Sequence, residues 1–241
     1  MSRHRHSLLG GGTNQIIVWG TTWDDGAPVT LVPPNKANML AGDLVYVFMT
    51  AGGGGIRDLT IPNAGGQTWT FVKIRDGNVS GLPSIWDCFC TFNGTWTANP
   101  QFSISGSVVS KLYVMNVMRP PVPGGFWTTD QGPTNASNTG SGSPGSYVCP
   151  GMTNTVNKPN VTIFALQNYS SGFNSLSGAY WKLLGPEFYL AAGANARTGT
   201  LIYQIQGFIN PVGATGNATI GGDTAPTTAQ LTRHSWYYTA P

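Results

Sequence analysis

The amino-acid sequence predicts an all-β protein, built as an antiparallel β-sandwich. Glycine and proline, the strongest turn formers, are frequent, with 33 and 17 residues among 241. Short segments rich in β-branched and aromatic residues recur between these turns, which is typical of strands. The apolar spacing of three and four residues that predicts helices is not sustained. Together these observations favour many short strands joined by tight connections.

Charged residues are scarce. They make up 9% of the chain, and the formal net charge is +3, whereas an average soluble domain has about 25% charged residues. This balance gives no reason to expect binding to nucleic acid. No apolar run approaches the roughly 20 residues that span a bilayer, so no membrane contact is predicted. A surface with few charges suits a protein packed against neighbours. A Thr- and Asn-rich β surface is the equally weighted alternative.

The first half of the chain predicts six strands. They cover residues 15–19, 43–50, 68–74, 85–92, 101–105 and 111–118. Within 85–92, Trp86, Cys88, Cys90 and Phe92 share one face, because successive side chains of a strand alternate. We expect that face to point into the core, and Asp87 to lie on the other face.

Residues 119–150 differ in composition from the rest of the chain. They are dense in Gly, Pro, Ser, Thr and Asn, which predicts a long connection containing one or two edge strands. A flexible interdomain linker is the alternative. The aromatic residues Phe126, Trp127 and Tyr147 favour partial attachment to the fold.

The second half repeats the plan of the first. Strands are predicted at residues 160–167, 179–184, 200–208, 217–220 and 231–238, in a similar order of strand, glycine-rich turn, aromatic strand and closing strand. Two similar four-strand units folded on each other describe a jelly roll. Two separate sandwiches are the alternative, but each half is short for a core of its own. We therefore predict one domain over residues 15–241, preceded by an N-terminal arm over residues 1–14.

The three cysteines are predicted to be reduced and buried. Cys88 and Cys90 are two residues apart on a strand, which is a poor spacing for a disulfide, and Cys149 leaves the count odd. The N-terminus does not read as a secretory signal, so we expect synthesis in a cytoplasm. No histidine or second cysteine pair stands at ligand spacing, and no metal is predicted.

Catalytic patterns are not found in the sequence. His4 and His6 lie in the basic N-terminus and His234 lies in a strand, and none belongs to a hydrolase, zinc-protease or phosphate-loop motif. The acidic residues are scattered, apart from Asp24 and Asp25, which precede Gly26 in a turn that is either plain or a calcium ligand. We predict no enzyme and no cofactor.

Two groups of residues are candidates for binding a partner. Trp23, Trp96 and Trp127 are predicted to lie in loops, where they would contact a protein or a glycan, with burial in a core or an interface as the alternative. The N-terminal arm carries Arg3, Arg5, Leu8 and Leu9. We predict that it docks onto a neighbouring subunit and becomes ordered on binding, and a frayed tail is the alternative.

Roughly residues 40–240 resemble a strand pattern of virion proteins from tailed bacteriophages. The resemblance is carried by AGDLVYVFMTAGG, by a Pro-and-Gly turn leading to WTFVKI, and by SIWDCFCTF, PQFSISGSVVSKLYVMNVMRP and LTRHSWYYTAP. The turn reads PNAGGQTW here, where that pattern usually has PPAGW. The pattern is one of strands and not a catalytic signature.

The resemblance implies a non-enzymatic β-sandwich without cofactors, made in the host cytoplasm and located in the virion, on the capsid surface or the tail. The expected function is that of a capsid decoration or cement protein. It would bind the major capsid protein or other virion proteins, as a homo-oligomer, and stabilise the assembled shell. The alternative is a tail or fibre-tip protein that binds a host-surface glycan through its loop tryptophans.

Overall fold

The computed structural model describes most of the chain after residue 15. The described residues are 16–24, 28–52, 57–75, 84–106, 111–120, 122, 124–139, 146–169, 173–177, 182–183, 188–190, 197–206, 213–222 and 228–241. The N-terminal arm, residues 1–14, therefore lies outside the described residues. Within them the fold is all-β, as predicted, and the helical structure is a single 3-10 turn at Lys36–Asn38.

Nineteen strands follow one another along the described residues. In the first half these are β1 (Ile17–Asp24), β2 (Val29–Thr30), β3 (Leu44–Ala51), β4 (Leu59–Asn63), β5 (Thr70–Arg75), β6 (Ser84–Thr91), β7 (Gln101–Ile104) and β8 (Lys111–Arg119). In the second half these are β9 (Phe126–Thr139), β10 (Ser146–Cys149), β11 (Thr153–Asn154), β12 (Asn160–Tyr169), β13 (Phe173–Ser177), β14 (Lys182–Leu183), β15 (Phe188–Leu190), β16 (Arg197–Gln206), β17 (Gly213–Ala214), β18 (Ala218–Gly222) and β19 (Thr228–Thr239).

The first half, β1–β8, forms two antiparallel sheets. The larger sheet has five strands in the order β1-β8-β3-β6-β5, and the smaller sheet has three in the order β2-β7-β4. A jelly roll of eight strands pairs its first strand with the eighth, the third with the sixth and the second with the seventh. The first half has this order, with β5 joined to the larger sheet through β6.

The second half, β9–β19, has the same pairing order. Its larger sheet runs β9-β19-β12-β16-β14, with β15 also paired to β16, and its smaller sheet runs β10-β18-β13. β3 and β12 both lie at the centre of their larger sheets. The predicted four-strand units are not confirmed, since the strand order that recurs involves eight strands in each half. The prediction of a single domain stays a prediction.

The two larger sheets pack face to face. Every residue of β3 is buried, as expected for a strand that is covered on both faces. The cluster between the sheets contains Ile16, Leu44, Tyr46, Phe48, Ile85, Leu112, Val114, Met118, Trp127, Val161, Ile163, Ala165, Trp236 and Tyr238. This cluster joins the two halves, and burial of each of its large apolar side chains contributes about 1.5–3 kcal/mol.

A second cluster fills the space between the two sheets of the first half. It includes Trp86, Cys88, Cys90 and Phe92, so the predicted core face of β6 is confirmed. The opposing side chains come from the smaller sheet and its loops: Val29, Leu31, Met39, Leu59, Phe102 and Ile104. Asp87 does lie on the other face of β6, but that face is covered by the second half and the carboxyl group is fully buried.

The outer face of the second half's larger sheet is covered as well. Asn154 in β11 donates hydrogen bonds to Asn160 Oδ1 at 2.9 Å and to Thr162 Oγ1 at 3.3 Å, both in β12. The region predicted as a long connection supplies the 14-residue strand β9, which pairs with β19, and the short strand β10. Two edge strands, β9 and β10, therefore lie where the sequence predicted one or two.

Candidate interaction surface

The jelly-roll order brings alternate connections of the first half to one end of the sandwich. Residues 31–43, 64–69 and 92–100 meet there. Gln67 Nε2 donates to Asn93 Oδ1 at 3.0 Å and to the Thr95 carbonyl at 2.7 Å, and Gln67 Oε1 accepts from the Asn93 backbone amide at 3.0 Å. Lys36 Nζ donates to Asn99 Oδ1 at 2.6 Å. These side-chain contacts hold the three loops in one arrangement.

Trp96 fastens the same loops by packing. Its indole stacks on Phe92 with ring centroids 5.1 Å apart and an interplanar angle of 21°. Its Nε1 donates to Met39 Sδ at 3.3 Å. A β-carbon on Gly65 would lie 2.8 Å from Trp96 Cε3, so this tight approach requires glycine. Trp96 is therefore half-buried and serves as a loop-packing residue.

A buried ion pair fixes the loop that precedes β3. Asp43 is fully buried and accepts from Arg119 Nε at 3.0 Å and from Arg119 Nη2 at 2.9 Å. It also accepts from the Leu40 amide at 2.9 Å, and Arg119 donates to the Asn38 carbonyl. A bidentate guanidinium–carboxylate pair combines charge with fixed geometry. The turn at residues 38–42 is consequently held from both sides.

The second half joins this end through Trp127 and Tyr238. Trp127 Nε1 donates to the Gly42 carbonyl at 3.0 Å, and its ring lies 5.4 Å from that of Tyr238. The Tyr238 hydroxyl accepts from the Gly125 amide at 2.8 Å and donates to the Val122 carbonyl. Burial raises the pKa of Tyr238, although the hydrogen bond from Gly125 partly offsets this effect. The two halves thus form one continuous surface at this end.

We call this surface the loop end. It comprises residues 31–43, 64–69, 92–100, 124–125, 155–159 and 240–241, together with Pro120 and Val122. A cavity of about 220 Å³ opens on its second-half side. The cavity is lined by Val122, Asn157, Lys158, Pro159, Tyr238, Thr239 and Ala240. Lys158 Nζ donates to Thr239 Oγ1 at 2.8 Å and lies 5.3 Å from the centre of the Tyr237 ring.

Exposed apolar side chains concentrate at the loop end. The described part of the chain exposes seven large apolar residues. Val32, Leu40 and Val122 belong to the loop end. Ile17 and Phe126 adjoin it, because Ile17 pairs with Arg119 and Phe126 pairs with Thr239. The remaining two, Phe71 and Val148, lie in strands β5 and β10. Exposed apolar residues grouped in this way are typical of a contact surface.

Arg3, Arg5, Leu8 and Leu9 lie outside the described residues, and their role stays a prediction.

Three tryptophans were predicted to lie in loops, and this prediction is wrong for two of them. Trp23 lies in β1, paired with Val114, although its side chain is outside the described part. Trp127 lies in β9 and is buried, because its indole closes the contact between the halves. Only Trp96 lies in a loop, as predicted. The Asp24–Asp25 turn is described only as far as Asp24, the last residue of β1.

A buried polar cluster lies between the two larger sheets. Asp87 accepts from the Tyr46 hydroxyl at 2.7 Å and from Thr232 Oγ1 at 3.0 Å. His234 Nδ1 lies 3.4 Å from Asp87 Oδ2, and its Nε2 contacts Thr129 Oγ1 at 3.2 Å. Burial, and secondly the carboxylate of Asp87, raise the pKa of Tyr46 well above 10.0.

This cluster has the residue types of an acid–base site, but a substrate cannot reach its side chains. Asp87, His234, Thr232 and Tyr46 are all buried to within about 1% of full burial. A catalytic acid or base must come within hydrogen-bond reach of a substrate. Most of the cluster's polar groups are instead hydrogen-bonded to one another inside an apolar contact, which is the usual arrangement of buried polar side chains, and His234 Nδ1 has no hydrogen-bond partner.

The cysteines are buried, as predicted, and none forms a disulfide. Burial raises the pKa of Cys149 to about 12, although Arg233 acts in the opposite direction. Burial also raises the pKa of Cys88 and of Cys90. Since the thiolate is the reactive form, these thiols are chemically inert in the folded protein.

Across the described ranges, no three His, Cys, Asp or Glu side chains come together as metal ligands. No helix in the same part of the chain has the length and apolar character needed to cross a membrane.

Comparisons with known proteins give no relative from which a function can be transferred. No protein-family model, no curated protein and no solved structure matches the chain.

Proposed function

We propose that the protein is a non-enzymatic structural protein of a virus particle, and that it docks onto other virion proteins through the loop end. The observation that carries this proposal is the grouping of five of the seven exposed large apolar residues at or beside that end. The resemblance of residues 40–240 to tailed-phage virion proteins supplies the class of partner.

The loop end has the physical properties of a docking surface. Its loops are fixed in advance by the Asp43–Arg119 pair and by Trp96, so little conformational entropy is lost on binding. The exposed apolar side chains give a contact that does not depend on charge. Asp87 and His234 are buried between the two larger sheets and do not take part in this surface.

The particular role we propose is that of a capsid decoration or cement protein of a tailed bacteriophage. Such a protein binds the assembled shell and not the free shell subunit. Any ligand that binds only one state stabilises that state by mass action. The stabilisation grows with the logarithm of the ligand concentration relative to its dissociation constant. The mechanism is therefore passive, and needs neither a cofactor nor a metal. The partner would be the major capsid protein or another virion protein.

A glycan-binding tail or fibre-tip protein is the alternative. A sugar stacks on an open aromatic face, but Trp127 is buried and one face of the Trp96 indole is covered by Phe92. The polar groups around Trp96 are engaged with one another, as in the Gln67–Asn93 pair. This arrangement favours a protein partner over a glycan.

The proposal is tested by sedimentation of the purified protein with assembled shells that lack it and with free shell subunits. We expect binding to the shells alone. Phe126→Asp should weaken that binding, because Phe126 adjoins the loop end and is 55% exposed. Phe71→Asp is the matched control, since Phe71 is 52% exposed but lies in β5. Equal binding by the two variants would reject the loop end as the docking surface.

A further inference from the structure

The end of the first half that lies away from the loop end holds polar side chains in its interior. β3 begins beside the loop end and finishes at Ala51. There Ala51 pairs with Lys111 on β8 and with Ser84 on β6. Opposed residues of antiparallel strands share a face, so the side chains of Lys111 and Ser84 flank that of Ala51. Ala51 belongs to the cluster between the two sheets of the first half, and both neighbours are buried.

A second cationic side chain reaches the same place from the smaller sheet. Arg57 precedes β4 and is buried. A β-carbon on Gly106 would lie 2.8 Å from Arg57 Nη1, so the guanidinium lies against that glycine. Lys111 Nζ donates at 2.6 Å to the carbonyl of Ile104, two residues before Gly106. Both cationic groups therefore meet at residues 104–106. We call Arg57, Ser84 and Lys111 the cationic cluster.

The charge of Lys111 is not compensated by a carboxylate among the described residues. Its hydrogen-bond acceptor there is the neutral carbonyl of Ile104. Asp58 follows Arg57, but its side chain is 80% exposed and lies 3.6 Å from Lys73 Nζ. Burial, and secondly the charge of Arg57, lower the pKa of Lys111. Burying an ammonium group beside a second cation is costly unless an anion accompanies the two.

We propose that the cationic cluster binds a small inorganic oxyanion of the phosphate type. A guanidinium, an ammonium and a hydroxyl group are donors that phosphate oxygens accept. Ala51 and Gly106 have the smallest side chains and do not fill the space beside these donors. The anion would join the smaller sheet, through Arg57, to the larger sheet, through Lys111 and Ser84. This inference goes beyond the proposed function and does not involve the loop end.

The first test is the thermal midpoint of the full chain in inorganic phosphate, in chloride and in acetate at equal ionic strength. A ligand that binds the folded state raises the midpoint with its concentration. We expect phosphate to raise the midpoint above its value in chloride, and acetate to leave it near that value. A midpoint in phosphate equal to that in chloride overturns the proposal. An equal rise in acetate overturns the assignment to a phosphate-type anion.

The second test places the anion at the cationic cluster, by calorimetric titration of inorganic phosphate into folded variants. Lys111→Met should raise the dissociation constant about tenfold or more, because a charged hydrogen-bond donor is lost. Ser84→Ala is a smaller change in the same cluster and should weaken binding less. Lys73→Met is the matched control, since it removes a cation that pairs with Asp58 at the same end.

Circular dichroism checks that each variant is folded, and Lys111→Arg, which keeps the charge, should retain binding. Unchanged phosphate affinity in both Lys111→Met and Ser84→Ala overturns the proposal. So does an equal loss of affinity in Lys111→Met and Lys73→Met, because the anion would then respond to the general positive charge of this end and not to the cationic cluster.

Discussion

Thr232 Oγ1 donates a hydrogen bond of 3.0 Å to Asp87 Oδ2, from the second half of the chain to the first. The contact lies inside the apolar cluster between the two larger sheets, where water does not replace a lost partner. Tyr46 approaches the same carboxyl group from β3, and His234 approaches it from β19. The relative position of the two halves is thus specified by polar groups and not by apolar packing alone.

We expect Asp87→Ala to destabilise the protein by about 3 kcal/mol, because it leaves the Tyr46 and Thr232 hydroxyls buried without their acceptor. The measurement is the free energy of unfolding in urea. Thr91→Ala, at the exposed end of the same strand, is the control and should cost less than about 0.5 kcal/mol. A loss of similar size in both variants would mean that the cluster does not link the halves.

We expect stability to fall as the pH rises above 9. Burial raises the pKa of Cys149 from 9.0 to about 12, and also raises the pKa of Cys88 and Cys90. The folded state keeps these protons while the unfolded state releases them. The stabilisation is therefore complete below pH 9 and is lost progressively up to the folded pKa, by about 1.4 kcal/mol per pH unit for each thiol.

Urea unfolding between pH 8 and about 11 measures this slope. Cys149→Ala removes one titrating thiol, so its stability should decline less steeply than that of the unmodified chain. Parallel declines in the two proteins would contradict the assignment of this pH dependence to the buried thiols.

Arg119→Lys should loosen the loop end, even though it keeps the charge. A lysine cannot reproduce the two hydrogen bonds that the guanidinium makes to Asp43. We expect a loss of about 1–2 kcal/mol for Arg119→Lys and about 3 kcal/mol or more for Arg119→Met, which leaves the Asp43 carboxylate buried without a cation. Hydrogen exchange of the Leu40 and Gly42 amides reports the loosening. Unchanged exchange in Arg119→Met would show that the pair does not hold the loop.

Gly125→Ala should be strongly destabilising, because a β-carbon there would overlap the Thr239 carbonyl and the Tyr238 hydroxyl. The adjacent Gly124→Ala is the control. Its φ of +87° imposes left-handed strain of about 1–2 kcal/mol, but the nearest atom, in Pro241, lies 3.9 Å away. The thermal midpoint should therefore fall further for Gly125→Ala. The reverse order would contradict the packing of Tyr238 against this turn.

The sequence allowed the fold class and the core face of β6 to be predicted, because alternation and turn residues act locally. Trp86, Cys88 and Cys90 follow directly from that alternation. The burial of Asp87 does not follow from it, because it depends on a second sheet that packs on the opposite face. Thr232, its hydrogen-bond partner in that sheet, is 145 positions further along the chain. The same long-range packing explains why Trp127 is buried although its sequence surroundings resemble a loop.

The loop end could not be predicted from local patterns in the sequence. Asp43 and Arg119 are 76 positions apart, and no local pattern pairs them. Leu40 and Val122 look like ordinary loop residues until the jelly-roll order brings both to one end. One available signal was Gly42–Asp43 directly before a long apolar strand, where a buried carboxylate fixing the turn was a reasonable expectation.

The copy number of the protein in purified virus particles, measured by quantitative mass spectrometry against the major shell protein, tests whether the protein decorates the capsid. A component that covers the capsid is expected in a number of copies close to that of the shell protein. A few copies per particle would contradict decoration and favour the tail, with glycan binding as the next property to measure. Absence from the particle would contradict a virion role altogether.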